Sequence, residues 1–139
     1  MSFKSQYGLN QARVDKGVPF TVVTYSDGSE GVFNLSFSNP NSTEWKTAFD
    51  AKTRPYQQQL QRKRNSDLAT KLYLETVCEV CIKSWSNIRD DNGMVLPFSS
   101  EAALKLLTEY PMLADDVTAF CADRSNFVGT FDEEEATKN

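Results

Sequence analysis

Cys78-Glu-Val-Cys81 is the one pattern in this chain whose residue types and spacing suggest chemistry, either as half of a zinc site or as a redox pair. A structural zinc site takes four Cys or His ligands, and the chain has no histidine and only Cys121 besides these two. A redox pair needs an exposed thiolate of low pKa, whereas both cysteines fall in the middle of an apolar stripe. They read as small core residues, and neither a metal nor a cofactor is expected.

The missing histidine also removes the commonest general base. There is no glycine-rich phosphate loop and no Gly-x-Ser-x-Gly motif. Asp90/Asp91 and Asp115/Asp116 are paired in sequence, but they lie beside a turn or on the polar side of a helical stripe, where solvated carboxylates are the simpler reading. The chain is not expected to be an enzyme. Lys52, Arg54, Arg62, Lys63 and Arg64 bring five of the fifteen basic residues together. They form either a solvated face at a helix junction or a patch for an acidic protein partner. Nucleic acid is disfavoured by the net charge of −4 and by the lack of interleaved aromatic rings.

These residues are set on elements that can be read from periodicity. Leu74, Val77, Cys78, Cys81, Ile82, Trp85 and Ile88 recur at i, i+3, i+4 and i+7, which predicts one long helix from Asp67 to Ile88, capped by Ser66. Asp91-Asn92-Gly93 ends it in a turn, and Met94-Val95-Leu96-Pro97 is expected to be a buried connector. Ser99 and Glu101 then open another helix as cap and first-turn acid. Ala103, Leu106, Leu107 and Tyr110 form its stripe, and a further helix after Pro111 carries Leu113, Val117, Phe120 and Cys121.

Toward the N-terminus, residues 1–16 show no clean period and read as an extended arm. Val18–Tyr25 and Val32–Phe37 are β-branched and aromatic segments around a Ser-Asp-Gly turn cluster, which predicts a hairpin over residues 17–38. Pro19 suits an edge or a strand start. A hairpin alone is marginal in water, so it must pack on helices or gain strands. Asn41 with Glu44 resembles a capping box for a helix bearing Trp45, Ala48 and Phe49. Pro55 interrupts that helix, and a short helix with Tyr56 and Leu60 inward runs to Arg64.

The fold class is therefore α+β, an N-terminal β-hairpin followed by a mainly α-helical bundle. At 139 residues and 40% hydrophobic content, residues 1–128 suffice for one globular domain with a helical part over 41–127. Residues 129–139 read as a flexible acidic tail with almost nothing to bury. Mean hydropathy is −0.49 and no apolar run approaches the ~18 residues of a membrane span, so no membrane association is expected. The N-terminus has no signal-peptide core, which predicts a cytoplasmic protein.

Several pieces occur in an order that resembles the tail assembly chaperones of long-tailed, siphovirus-type bacteriophages. They are Lys16-Gly17-Val18 before a hairpin, Arg54-Pro55-Tyr56, the Trp85 segment, Asp91-Asn92-Gly93, Leu96-Pro97-Phe98-Ser99, a helix pair split by Pro111, and Ser125-Asn126-Phe127. The resemblance spans most of the chain. It implies a non-catalytic protein of the host cell cytoplasm that binds the phage tape measure protein and keeps it soluble before the tail tube polymerises. It also admits the tail tube protein and a longer, frameshifted form of the chain as partners, because Thr137-Lys138-Asn139 can be encoded by a slippery A-AAA-AAC run. Apolar side chains in excess of a small core, around Trp45, Phe49, Trp85, Met94 and Phe98, are the candidate partner-binding residues. The competing reading is a structural minor tail or head-tail connector protein retained in the virion.

Overall fold

In a computed structural model of the chain, the described residues are 2–62 and 66–129, the side chain of Ser66 excepted. The acidic tail, Lys63, Arg64 and the expected Ser66 cap lie outside that set.

The N-terminal segment departs from the extended arm. It forms two short helices, α1 (Phe3–Tyr7) and α2 (Gln11–Lys16). The reason is local capping. Ser2 and Ser5 make a reciprocal capping box on α1, and the Asn10 side chain accepts from the backbone N–H groups of Ala12 and Arg13 at the start of α2. Helices this short do not persist alone. They are held by the far end of the chain, where the Asn10 N–H donates to the Phe127 carbonyl at 2.7 Å and the Arg13 guanidinium donates to the carbonyls of Asn126 and Val128.

Gly17, at φ +83, turns the chain out of α2 into β1 (Val18–Thr24), which pairs antiparallel with β2 (Glu30–Leu35). A Cβ at Gly17 would sit 2.8 Å from the Asn34 carbonyl carbon, so the position needs glycine for space as well as for φ. After β2, α3 (Thr43–Thr53) is capped by Ser42 rather than Asn41, the Ser42 hydroxyl accepting from the Trp45 N–H at 3.1 Å. A 3-10 turn at Arg54–Tyr56 and the short α4 (Gln57–Gln61) follow.

The largest difference from expectation lies over 67–88. The helix α5 (Ser66–Thr76) passes into a π-helical turn at Val77–Cys81, closed by the Ile82 N–H on the Val77 carbonyl, and the chain leaves as a third strand, β3 (Ile82–Ser86). At the switch, the buried Thr76 hydroxyl donates back to the Leu72 carbonyl at 2.8 Å, a bond that bends helices. β3 pairs antiparallel with β2, giving sheet order β1-β2-β3. The register explains the misleading period. Phe33 faces Trp85 and Leu35 faces Ile82, so two residues two apart on β2 meet two residues three apart on β3, with a bulge at Lys83. A bulged strand thus reproduces the i, i+3 spacing of a helix face.

The last two helices form where expected, except that Tyr110, expected on the stripe of the first, is its exposed C-cap. α6 (Ser100–Glu109) starts at Ser99, whose hydroxyl accepts from the Ala102 N–H, and α7 (Pro111–Ala122) follows directly. The architecture is α+β, with a three-stranded antiparallel sheet and helices packed on it. Along the sheet's inner face runs a row of aromatic rings. Phe20, Phe33 and Trp85 stand opposite one another across the three strands. Phe120 of α7 meets Phe20 at 4.7 Å, Trp85 stacks on Phe33 at 5.3 Å, and Phe98 closes edge-on against Trp85 at 5.2 Å. Offset and edge-to-face pairs of this kind add to the burial that holds the layers together.

A candidate partner-binding corner

Beyond β3 the chain reverses around two pinned turns. Asn87 is in the left-handed region at φ 55, which an asparagine tolerates better than most residues. Its side-chain amide donates to the Ser29 hydroxyl and the Glu30 carbonyl, fastening β3 to the β1–β2 turn. Arg89 completes the link. Its guanidinium lies 4.4 Å above the Tyr25 ring and donates to Asn87 Oδ1, Asp27 Oδ2 and the Ser29 hydroxyl, while its backbone N–H donates to the Tyr25 hydroxyl at 2.8 Å. The Ser29 hydroxyl and N–H, with Arg89 beside them, hold the Asp27 carboxyl down to about 2 from the ordinary 3.8. Gly31 lets these parts close up, since a Cβ there would stand 2.7 Å from Val23 Cγ1 and 3.0 Å from the Asn87 carbonyl oxygen.

The second turn is Asp90–Gly93. Asp90 Oδ1 accepts from the N–H groups of Asn92 and Met94, and Gly93 takes φ +80. Leu96 N–H donates to the Ile88 carbonyl at 2.7 Å, Arg89 and Val95 form an isolated antiparallel bridge, and Trp85 Nε1 donates to the Leu96 carbonyl. The connector is therefore ordered, but the expectation that it is buried is corrected. Met94 is 67% and Val95 62% exposed, because the bridge satisfies their backbone and points their side chains outward, and only Leu96 turns partly inward.

Next to this reversal opens a groove of about 380 Å³ lined by Val22, Val23, Tyr25, Ile88, Arg89 and, from the α6–α7 junction, Leu106, Tyr110, Met112 and Leu113. Met112 is 82% exposed, and Val23 and Tyr110 are exposed as well. Val23, Tyr110 and Met112 thus stand together at this corner, with the exposed Val95 bridged to Arg89 at its edge and Met94 next to it in the chain, while Phe3, Tyr7 and Leu9 are exposed elsewhere, on the N-terminal segment. Such a cluster marks an interaction surface more than scattered single residues do. Glu109 and Asp91 raise the Tyr110 hydroxyl above its usual pKa, so the rim carries negative potential. Other grooves mix apolar and polar residues too. One along α3 includes Trp45 and Phe49 with Lys46, Asp50 and Arg54, and one between α5 and the α6–α7 pair includes Tyr73, Leu74, Leu104 and Leu107 with Asp67, Lys71 and Asp115.

The residues singled out from sequence fall in three places. Trp45 and Trp85 are in the core, at 7% and 9% exposure. Trp45 packs on Phe49 at 6.0 Å and Tyr73 at 5.4 Å, while Trp85 packs with Phe33 and Phe98, so the two tryptophans belong to separate aromatic clusters. Phe49 and Phe98 are half-buried against the core, and Met94 alone of the five stands out in solvent. Of the basic cluster, Lys52 pairs with Glu79 at 2.9 Å and Arg54 with Asp50, both near-surface ion pairs, and Arg62 is exposed at the end of α4. The corner's other members, Val23, Tyr110, Val95 and Met112, were not distinguishable in sequence from the apolar stripes around them.

The cysteines are free and buried. Burial pushes the Cys78 thiol up to about 12, and the Cys81 thiol hydrogen-bonded to it, with burial, raises Cys121 further still. Thiols so placed are poor nucleophiles and poor ligands at neutral pH. Among the described residues no group of three or more His, Cys, Asp or Glu could hold a metal ion, and no helix is long and apolar enough to cross a membrane.

Compared with known proteins, the chain matches neither a curated protein nor a solved structure. A family model does match, over residues 38–139, which takes in everything from the end of the hairpin onward. The chain is phage-derived and belongs to the YdaY prophage protein family.

Proposed function

We propose that the protein is a phage tail assembly chaperone of the host cytoplasm. It binds apolar segments of the tape measure protein without catalysing a reaction and keeps that client soluble until tube subunits replace it. The observation that carries this reading is the exposed apolar corner of Val23, Val95, Tyr110 and Met112, beside turns that Asp27, Arg89 and Asp90 pin in place. The phage-derived family, and the order of the sequence pieces from Lys16-Gly17-Val18 to Ser125-Asn126-Phe127, support it. Elongated helical clients present apolar stripes, and a surface that covers them prevents their self-association.

Co-expression with the tape measure protein tests the proposal. The soluble client fraction should rise with the wild-type chain and fall to the uninduced level with Val95→Asp/Met112→Asp. Both sites are exposed, so that variant should keep its stability to within about 0.5 kcal/mol. A client that stays insoluble with the wild-type chain rules the reading out. A structural minor tail or connector role has one observation in its favour, the free outer edge of β1, which a neighbouring strand could extend. Recovery of the protein from purified virions would favour that second reading.

A further inference from the structure

We infer that the corner is built for an amphipathic helix whose apolar stripe is flanked by lysine or arginine. The inference rests on the docking role proposed above and names the chemistry of the docked segment. Two features of the site select this occupant.

The first is the shape of the opening. The strand that lines the groove is β1, and beside the groove its edge is broken by the register shift between Thr21 and Val23, with Pro19 further along it. Bulges and prolines at an edge discourage strand addition. What remains is side-chain docking between the β1–β3 end and the α6–α7 junction, the helix-in-groove mode. The two exposed methionines, Met94 and Met112, suit it, since unbranched thioether side chains adapt to stripes of differing sequence.

The second feature is charge. Asp27, Asp90 and Asp91 lie on the two turns beside the groove, Glu109 adjoins Tyr110, and Asp116 stands one helical turn beyond Met112. Against them stand Arg89, whose guanidinium is already engaged by Asp27, and Lys105, one turn before Glu109. Carboxylates therefore outnumber cations around an apolar floor, and the complementary ligand is apolar in the middle and basic at the flanks.

Two peptides of roughly 20 residues, long enough to hold helix, supply the probe. Both carry the same leucine stripe, one flanked by lysines and the other by glutamates, and each is titrated into the intact protein by fluorescence anisotropy. The lysine-flanked peptide should bind about tenfold more tightly at low salt, a sum of several surface charge pairs. The preference should shrink toward 1 M salt, where the Debye length is about 3 Å. Asp91→Asn/Glu109→Gln should reduce it, whereas Asp67→Asn/Asp115→Asn, on the groove between α5 and α7, should not. Equal binding of the two peptides, or a preference insensitive to Asp91→Asn/Glu109→Gln, overturns the charge inference while leaving the docking role intact. No binding by either peptide overturns both.

Discussion

Two apolar regions that come within a dozen residues of each other along the chain, at Trp85 and Met94, have opposite fates. The row Phe20, Phe33 and Trp85 is closed on both sides, by Phe120 and by Phe98, and Trp85 retains only 9% of its surface. Met94 and Val95, just beyond, are held in solvent by hydrogen bonds of their own backbone and of Asp90. The difference is not in hydrophobicity. It lies in whether the strand pairing or a turn decides where the side chain points. The exposed apolar side chains of this region are thus found on pinned turns and a helix junction, and the two tryptophans that draw the eye in sequence are consumed by the core.

Three perturbations would break or sharpen this contrast. The greatest effect is expected from Trp85→Ala, which removes the β3 end of the row, between Phe33 and Phe98, and should cost about 3–5 kcal/mol in denaturant unfolding. A loss below about 1 kcal/mol, within the range typical of surface substitutions and mild ones, would mean the row is not what closes the core. Asn87→Val comes next. It places a β-branched residue at φ 55 and deletes the amide's two bonds to the β1–β2 turn, a cost of about 2 kcal/mol. Hydrogen exchange should accelerate over residues 25–30 and 88–96 and hold steady between β2 and β3. Uniform acceleration would show that corner and row are one cooperative unit.

The smallest effect is a pH dependence. The Asp27 carboxyl sits at about 2 when folded and near 3.8 ordinarily, so its contribution is complete above about pH 4 and disappears as pH falls through about 2. Stability curves of the wild type and Asp27→Asn should differ at neutral pH and converge at the acid end. Parallel curves would show that the Asp27–Arg89 pin does not hold the corner.

Much of this was readable from residue order, and the failures have physical causes. The hairpin, the Ser99 cap and the break at Pro111 are written in short-range chemistry, and each formed where such chemistry put it. β3 was hidden because its bulge at Lys83 converts a period of two into a spacing of three, and the left-handed Asn87 repeats the trick between Trp85 and Ile88. The helices of the first sixteen residues carry local caps at Ser2 and Asn10 but no apolar period to mark them, and the anchors of α2 lie more than a hundred positions away. At the site, Met94 was legible as an apolar residue beside a turn. Met112 was not, because nothing local distinguishes an apolar residue at a helix start that faces solvent from one that faces the core.

That distant anchoring of α1 and α2 also fixes an order of events at the ribosome. Asn10 and Arg13, at α2, are secured by Asn126, Phe127 and Val128, which emerge more than a hundred residues later. Until they do, two helices of five and six residues have no means of persisting. The nascent chain therefore carries α1 and α2 unfastened until those residues have emerged.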